Sequence, residues 1–481
     1  MIFDSFNCYT ASSFTPTVCI IGAGPAGISL ALQLEKAKIP SIIIEAGGYH
    51  PSTKTQDAYR GKVIGDKYFN LETARLRYLG GASNHWGGWC RHLDAIDFEP
   101  RKNFKNSGWP INKTDLDPYS KAVQSILEID TFLPDQTVTE NLKEIYFSFS
   151  PFVNFNSKYK QHLQDSPLIG LLLNSPLKEI VPIKNRISHI NIYSPNGANQ
   201  KVTARYFTLC TGGIENSRLL LWSNQLHRNG VVPYHETLGK YWMEHPTFTA
   251  GDTVLFHNQE MVAAPKNYGI RFYAPTPDFL RNHSIGNFGL RLHSGEKSIK
   301  TLIRDGICIA PKLFEPLAKK INSKLVCNTM LRISWEQVPV CTNRIELSSE
   351  KDAEGIPRVN LFWKKQPKDR DTIATAVRMF GSHLAKKDLG RAKMVAWLAN
   401  DEDYPDDDEL AGFHHMGGTR MAFTSNEGVV DANCKVFGVD NLFIGGSSVF
   451  PTGGHANPTY TIIQLALRLG DHIATLEKKL G

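Results

Sequence analysis

Long apolar runs, clustered cysteines and blocks of like charge are missing from this chain of 481 residues. No stretch of 18 or more apolar residues occurs, so neither a membrane-spanning helix nor a membrane partner is expected. The eight cysteines (Cys8, Cys19, Cys90, Cys210, Cys308, Cys327, Cys341 and Cys434) are scattered singly. None forms CxxC and none clusters with iron–sulfur or zinc spacing, so no metal site is expected. Single cysteines in a chain this long read as reduced and buried. The absence of HExxH and of GxSxG argues against a zinc protease and a Ser–His–Asp hydrolase. The net charge of +7 is spread along the chain, without a Lys/Arg run that would track a phosphate backbone, so nucleic acid is not an expected partner. The opening segment MIFDSFNCYTASSFTP has no basic start, apolar run or twin arginine, and a cytoplasmic location is the expectation.

What is present begins with TVCIIGAGPAGISLALQLEKAKIPSIIIEAGG. Residues 17–22 are an apolar run ending in glycine, residues 25–37 place apolar positions at helical spacing, and Ser41 to Glu45 carries the β-branched Ile42, Ile43 and Ile44. The pattern predicts strand, turn, helix and strand. Gly22, Gly24 and Gly27 give GxGxxG in that turn. The three glycines allow a tight turn, close approach to a pyrophosphate, and close packing of helix on strand. The helix N-terminus then offers free N–H groups and a favourable dipole to phosphate. Glu45, 18 residues after Gly27, ends the second strand, where a carboxylate accepts hydrogen bonds from ribose hydroxyls. The context makes this a dinucleotide cradle, but the motif does not separate FAD from NAD.

The chain is long enough for two sizeable cores. Strands are expected at 190–193 and 201–209 around an Asn196–Gly197 hairpin turn, and near 251–257, 285–292, 329–340 and 357–363. Helices are expected from Glu215, near 368–386, and from about Pro458 to about Leu476. The segment DEDYPDDDEL at 401–410 holds seven carboxylates in ten residues. It reads as a solvated loop, with steering of a cationic substrate as the alternative.

At RLRYLGGASNHWGGWCRHLDAIDFEPR (75–101) the chain resembles the glucose–methanol–choline (GMC) oxidoreductases. The resemblance continues at GWPINKTDLDPY (108–119), LCTGGIENSRLLL (209–221), LGKYWMEHP (238–246) and across 412–466. These blocks fall in the family's order. Asn457 in ANPTYT, where other branches often have a second histidine, places the likeness nearest the pyranose oxidases and bacterial sugar dehydrogenases. The chain lacks the cysteine cluster by which some of the latter pass electrons onward.

The resemblance implies an α/β fold, α+β overall: a Rossmann-type FAD-binding domain and a substrate domain on an antiparallel sheet. It implies a discontinuous FAD domain at 16–110, 176–245 and 405–481, with the substrate domain at 111–175 and 246–404. It assigns Gly80, Gly81, Asn84, His85, Gly212, Gly446, Asn457, Pro458 and Thr459 to the FAD site, beside Gly22, Gly24, Gly27 and Glu45. His85 stands where pyranose oxidases attach FAD covalently through histidine. Its alternative role is to hydrogen-bond or pack against a non-covalent flavin. Trp86 and Trp89 read as packing residues, and Glu215 as a helix cap.

Oxidising an alcohol with a flavin moves a hydride to flavin N5 and requires the hydroxyl proton to leave. A neutral imidazole suits the proton transfer. His415 in GFHHMGGTRM aligns with the family's base, and Asn457, 42 residues on, would hold the substrate oxygen. The positive end of the final helix would face the reduced flavin, with Pro458 suited to its first turn. His414 is the rival of His415, and His455 either lines the site or serves the loop. The expected substrate is a sugar, glycoside or polyol, and the expected electron acceptor is oxygen or an external carrier. An amino-sugar or other natural-product alcohol is the close alternative. A hydroxynitrile-type lyase that keeps FAD without net redox chemistry is a second class, and a non-enzymatic flavoprotein scaffold a third.

Overall fold

The β-branched runs near the N-terminus form the centre of a parallel sheet. The computed structural model describes residues 2–3, 15–151, 153–193, 199–255, 269–294, 329–406, 410 and 412–480. Six strands lie in the order Ile2–Phe3, Ile169–Leu172, Ser41–Ile44, Val18–Ile21, Tyr206–Leu209 and Leu442–Ile444, all parallel. Val18, Ile20 and Ile43 join the core formed with helices Pro25–Lys36 and Thr459–Lys478. Cys19, Ile21, Ile42 and Ile44 join the core on the opposite face. Both faces are covered, which is why these strands read as unbroken apolar runs. The two helices approach closely because Gly470 has no side chain; a Cβ there would stand 2.7 Å from Gln33 Cγ.

A second sheet of eight strands is antiparallel. Its main path runs Gly390–Met394, Thr247–Leu255, Thr329–Trp335, Phe288–Ser294, Ile270–Pro275, Leu142–Phe149 and Trp89–Cys90. Leu331, Ile333 and Trp335 share a core with Ile373, Val377 and Phe380, so helix Pro367–Lys386 covers one face. That helix starts at a capping box between Gln366 and Asp369, which satisfies two otherwise unpaired N–H groups. Two three-stranded sheets complete the described strands.

The expected strand 201–209 is two strands. Asn199–Val202 pairs with Arg186–Tyr193, whereas Tyr206–Leu209 enters the parallel sheet. The chain crosses between the sheets at Arg205, where the Arg205 and Tyr206 N–H groups both donate to the Thr17 carbonyl. The Asn196–Gly197 turn lies outside the described residues. Cys19, Cys90, Cys210 and Cys434 are buried free thiols and Cys341 is exposed; Cys8, Cys308 and Cys327 lie outside the described residues. Among the described residues no helix is long and apolar enough to cross a membrane, and no group of three or more side chains could hold a metal ion.

Candidate active site

The carboxyl ends of three neighbouring parallel strands open onto one cavity of about 440 Å³. Val18–Ile21 leads into Gly22 and Gly24, Ser41–Ile44 into Glu45, and Tyr206–Leu209 into Thr211, Gly212 and Gly213. Ligands of open parallel sheets bind at such strand ends, where loops diverge and helix N-termini converge. Gly81, His85, His415, Gly446, Asn457, Pro458 and Thr459 also line the cavity.

Three glycines test whether the cavity suits a closely held group. A Cβ built on Gly24, Gly212 or Gly446 meets nothing within 4 Å. Bare backbone at these points faces space rather than protein, as a tightly held dinucleotide requires. Gly212 and Gly446 also have φ of +97°, where a side chain is strained. Gly27 instead sets the packing of helix on turn, because its Cβ would stand 1.9 Å from the Gly22 carbonyl oxygen. Gly80 and Asn84 are likewise absent from the cavity wall. The Asn84 amide donates to the Leu79 carbonyl at 2.8 Å, and a Cβ on Gly80 would strike Asn84 Oδ1.

Glu45 supports the turn as well as lining the cavity. Its carboxylate accepts from the N–H groups of Ala23 (2.9 Å) and Gly47 (2.8 Å). Burial pushes its pKa up, while each oxygen keeps a further lone pair for a ligand hydroxyl. His85 is exposed on the cavity wall. Trp86 donates its indole N–H to the Val153 carbonyl, and Trp89 packs against Phe272 with ring centres 6.0 Å apart.

Glu215 lies in the first turn of helix Glu215–Leu226 but makes no side-chain cap bond. It is buried and paired with Arg218 at 2.8 Å and Arg75 at 3.5 Å. Asn216 was not anticipated from the sequence. Its Oδ1 accepts from the N–H and hydroxyl of Thr211, and its amide donates to the Gly445 carbonyl and Ser448 Oγ. One side chain thus ties two of the glycine loops of the cavity wall together.

His415 and Asn457 both reach the cavity. Asn457 is half-buried, two residues before helix Thr459–Lys478. His415 is buried, with Nε2 3.0 Å from the Tyr68 hydroxyl and 3.9 Å from Glu244 Oε2. Tyr68 donates its one hydroxyl proton to Glu244 Oε2. The phenol oxygen must then accept from Nε2–H of His415, which leaves Nδ1 as the nitrogen with the bare lone pair. Nδ1 has no hydrogen-bond partner among the described residues. Burial, with Arg75 second, lowers the His415 pKa to about 3. The Glu244 carboxylate at 3.9 Å does not offset that burial.

Glu244 holds the corner together. Its Oε1 accepts from the N–H groups of His245 (2.8 Å) and His414 (2.6 Å). His414 also lines the cavity, and its Nδ1 lies 3.0 Å from Nδ1 of His245, as Nε2 of His415 lies 3.0 Å from Tyr68. His455 is buried off the cavity wall, and neither ring nitrogen has a hydrogen-bond partner. In the acidic run, Asp401 pairs with Arg370 at 3.0 Å, and Asp407, Asp408 and Glu409 lie outside the described residues. Tyr68 and Glu244 were also not anticipated from the sequence, although Glu244 lies within the LGKYWMEHP block.

Comparison with known proteins gives consistent relatives. Residues 339–466 match the C-terminal family model of the GMC oxidoreductases. A 2-methyl-1,2-propanediol dehydrogenase of Mycolicibacterium austroafricanum is 23% identical, over 97% of this chain and 96% of its own. The fructose dehydrogenase large subunit of Gluconobacter japonicus is 25% identical over 60% of this chain, and the match spans 51% of that subunit. Among solved structures, a formate oxidase of Aspergillus oryzae RIB40, analysed for FAD modification, covers 97% of this chain and 99% of its own, with 15% identity and a TM-score of 0.56.

Proposed function

We propose that the chain is a GMC oxidoreductase acting on CH–OH groups, like the family model and relatives it matches, and that it binds FAD and oxidises a sugar- or polyol-type alcohol to a carbonyl. The observation that carries this reading is one cavity that joins the glycine cradle to a neutral buried histidine and an asparagine. The open backbone at Gly24, Gly212 and Gly446 and the carboxylate of Glu45 would hold the dinucleotide, and His85 would meet the flavin. Bound FAD supplies the acceptor for the hydride.

The chain's own part is to orient the alcohol and take its proton. Asn457 donates an amide hydrogen bond to the substrate oxygen. Nδ1 of His415 accepts the hydroxyl proton as the C–H bond gives up its electron pair, so the alcohol loses one hydride and one proton. Tyr68 and Glu244 are positioning residues: they fix the tautomer and orientation of the imidazole and receive the charge that develops on it. The N-terminus of helix Thr459–Lys478 adds positive potential at the same wall. The names of the two relatives, a diol and a sugar dehydrogenase, support the choice of substrate class. We further propose the division into a flavin domain at 16–110, 176–245 and 405–481 and a substrate domain at 111–175 and 246–404.

The test is anaerobic. The purified flavin-containing protein is mixed with sugars, polyols and diols while the oxidised flavin band is followed. Loss of that band with one of these groups is the expected result. A flavin that dithionite reduces but none of the three groups does would contradict the substrate class.

A further inference from the structure

The antiparallel sheet has a second face, away from helix Pro367–Lys386, and basic charge is concentrated there. Arg291 on strand Phe288–Ser294 lies directly opposite Arg332 on strand Thr329–Trp335. Residues directly opposite share a face, and like charges so placed repel. Arg291 is half-buried, its guanidinium 4.9 Å from the centre of the Trp89 ring. Among the described residues Arg291 has no hydrogen bond or ion pair. Arg271, on the adjoining strand, is paired with Glu144 at 3.1 Å. Burial and the neighbouring Arg332 lower the Arg291 pKa to about 10. Burial and then the two arginines hold His293, on the same strand, below its ordinary value. A guanidinium kept partly from water, with no ion-pair partner of its own among the described residues, costs free energy.

The position of this charge matters. Trp89 directly follows Gly87 and Gly88 of the cavity wall. It packs on Phe272, Phe272 on Phe147, and Phe147 on His455, two residues before Asn457. The arginine face therefore abuts the segments that carry the proposed site. A guanidinium offers a fork of donors that matches the two oxygens of an oxyanion.

We propose that Arg291 anchors an oxyanion of the substrate, so that the alcohol oxidised here carries a carboxylate or a phosphate group. The inference rests on the function proposed above and narrows it. It also sets aside a cationic amino sugar, which the Arg291 guanidinium would repel.

Two measurements on the flavin-containing protein test it. Calorimetry with malonate and with inorganic phosphate reads the anion site without turnover and distinguishes the two oxyanions. Binding of at least one, weakened about tenfold or more in Arg291→Gln, is expected from the loss of a charge-assisted hydrogen bond. Equal binding in the two proteins, or none, would overturn the proposal. Anaerobic flavin reduction by glycerol, glycerate and glycerol 3-phosphate reads the same site in turnover. An anionic member should half-saturate at a lower concentration than glycerol, and Arg291→Gln should abolish that difference. No difference in the wild type would overturn it. If none of the three reduces the flavin, the proposed function fails for these alcohols, and the calorimetric result alone decides on Arg291.

Discussion

The pH dependence of the half-reaction is a sharp consequence of where His415 sits. An exposed histidine with the ordinary pKa of 6.5 would be only about 3% neutral at pH 5, so a base of that kind would lose about thirtyfold in rate between pH 8 and pH 5. Burial holds His415 at about 3, so it is about 99% neutral at pH 5. The account therefore predicts a kcat/KM for anaerobic flavin reduction that is flat from pH 8 to pH 5. Stability gives a second reading of the same shift. The unfolded chain binds a proton at His415 below pH 6.5 and the folded chain does not until about pH 3. Stability contributed by a neutral His415 is thus present above pH 6.5 and lost as pH falls toward 3. Between pH 8 and pH 5 the loss is about 2 kcal/mol for this one residue. Asp97 and Asp369, pushed to about 7 chiefly by burial, act in the opposite direction over the same range. The comparison must therefore be wild type against His415→Gln, by urea denaturation at each pH. The wild type should lose about 2 kcal/mol relative to the variant. A thirtyfold fall in kcat/KM centred near pH 6.5, with parallel stabilities of the two proteins, would refute the reasoning.

Other expectations follow from single contacts. Tyr68→Phe removes the bridge between Glu244 and His415, and Glu244→Gln removes the carboxylate acceptor. Each should lower the limiting rate of flavin reduction about tenfold to a hundredfold, with KM nearly unchanged and the flavin spectrum intact; wild-type rates in both would show that the bridge does not position His415. Gly446→Val places a side chain in the open cavity and should abolish FAD retention through gel filtration, while the far-ultraviolet circular dichroism stays native. Full flavin content in that variant would count against the cradle. Gly27→Ala drives a methyl group against the Gly22 carbonyl and should cost about 3 kcal/mol or more in urea denaturation; a change under about 1 kcal/mol would show that the turn can yield.

The parts legible in the sequence are those carried by local pattern. The GxGxxG turn lies between two short apolar strands, so sequence neighbours alone specify it. The final helix begins at Thr459, close to the Pro458 expected. His415 and Asn457 stand out by likeness to a family, and they share one cavity wall. Tyr68, Glu244 and Asn216 escape a reading of the sequence because their meaning is tertiary. Tyr68 meets Glu244 across 176 positions and His415 across 347, and no spacing along the chain announces such a pairing. The break inside 201–209 is hidden for a similar reason. No glycine or proline marks a break in 201–209, but Thr17 captures the backbone at Arg205 and passes the chain from one sheet to another. Glu215 looks like a cap because an acid in a first helical turn often is one. Arg218 and Arg75 claim it instead; the first is an i,i+3 neighbour on the same helix, but the second, 140 positions away, is not visible before the chain folds.

The central claim is that His415 removes the hydroxyl proton while the alcohol reduces a bound flavin. The most direct test is anaerobic single turnover of wild type and His415→Ala, both loaded with FAD and mixed with the best alcohol found. The account predicts that the variant keeps its flavin, is reduced by dithionite as fast as the wild type, and is reduced by the alcohol about a hundredfold to ten-thousandfold more slowly. Reduction of the variant by alcohol at the wild-type rate would contradict it.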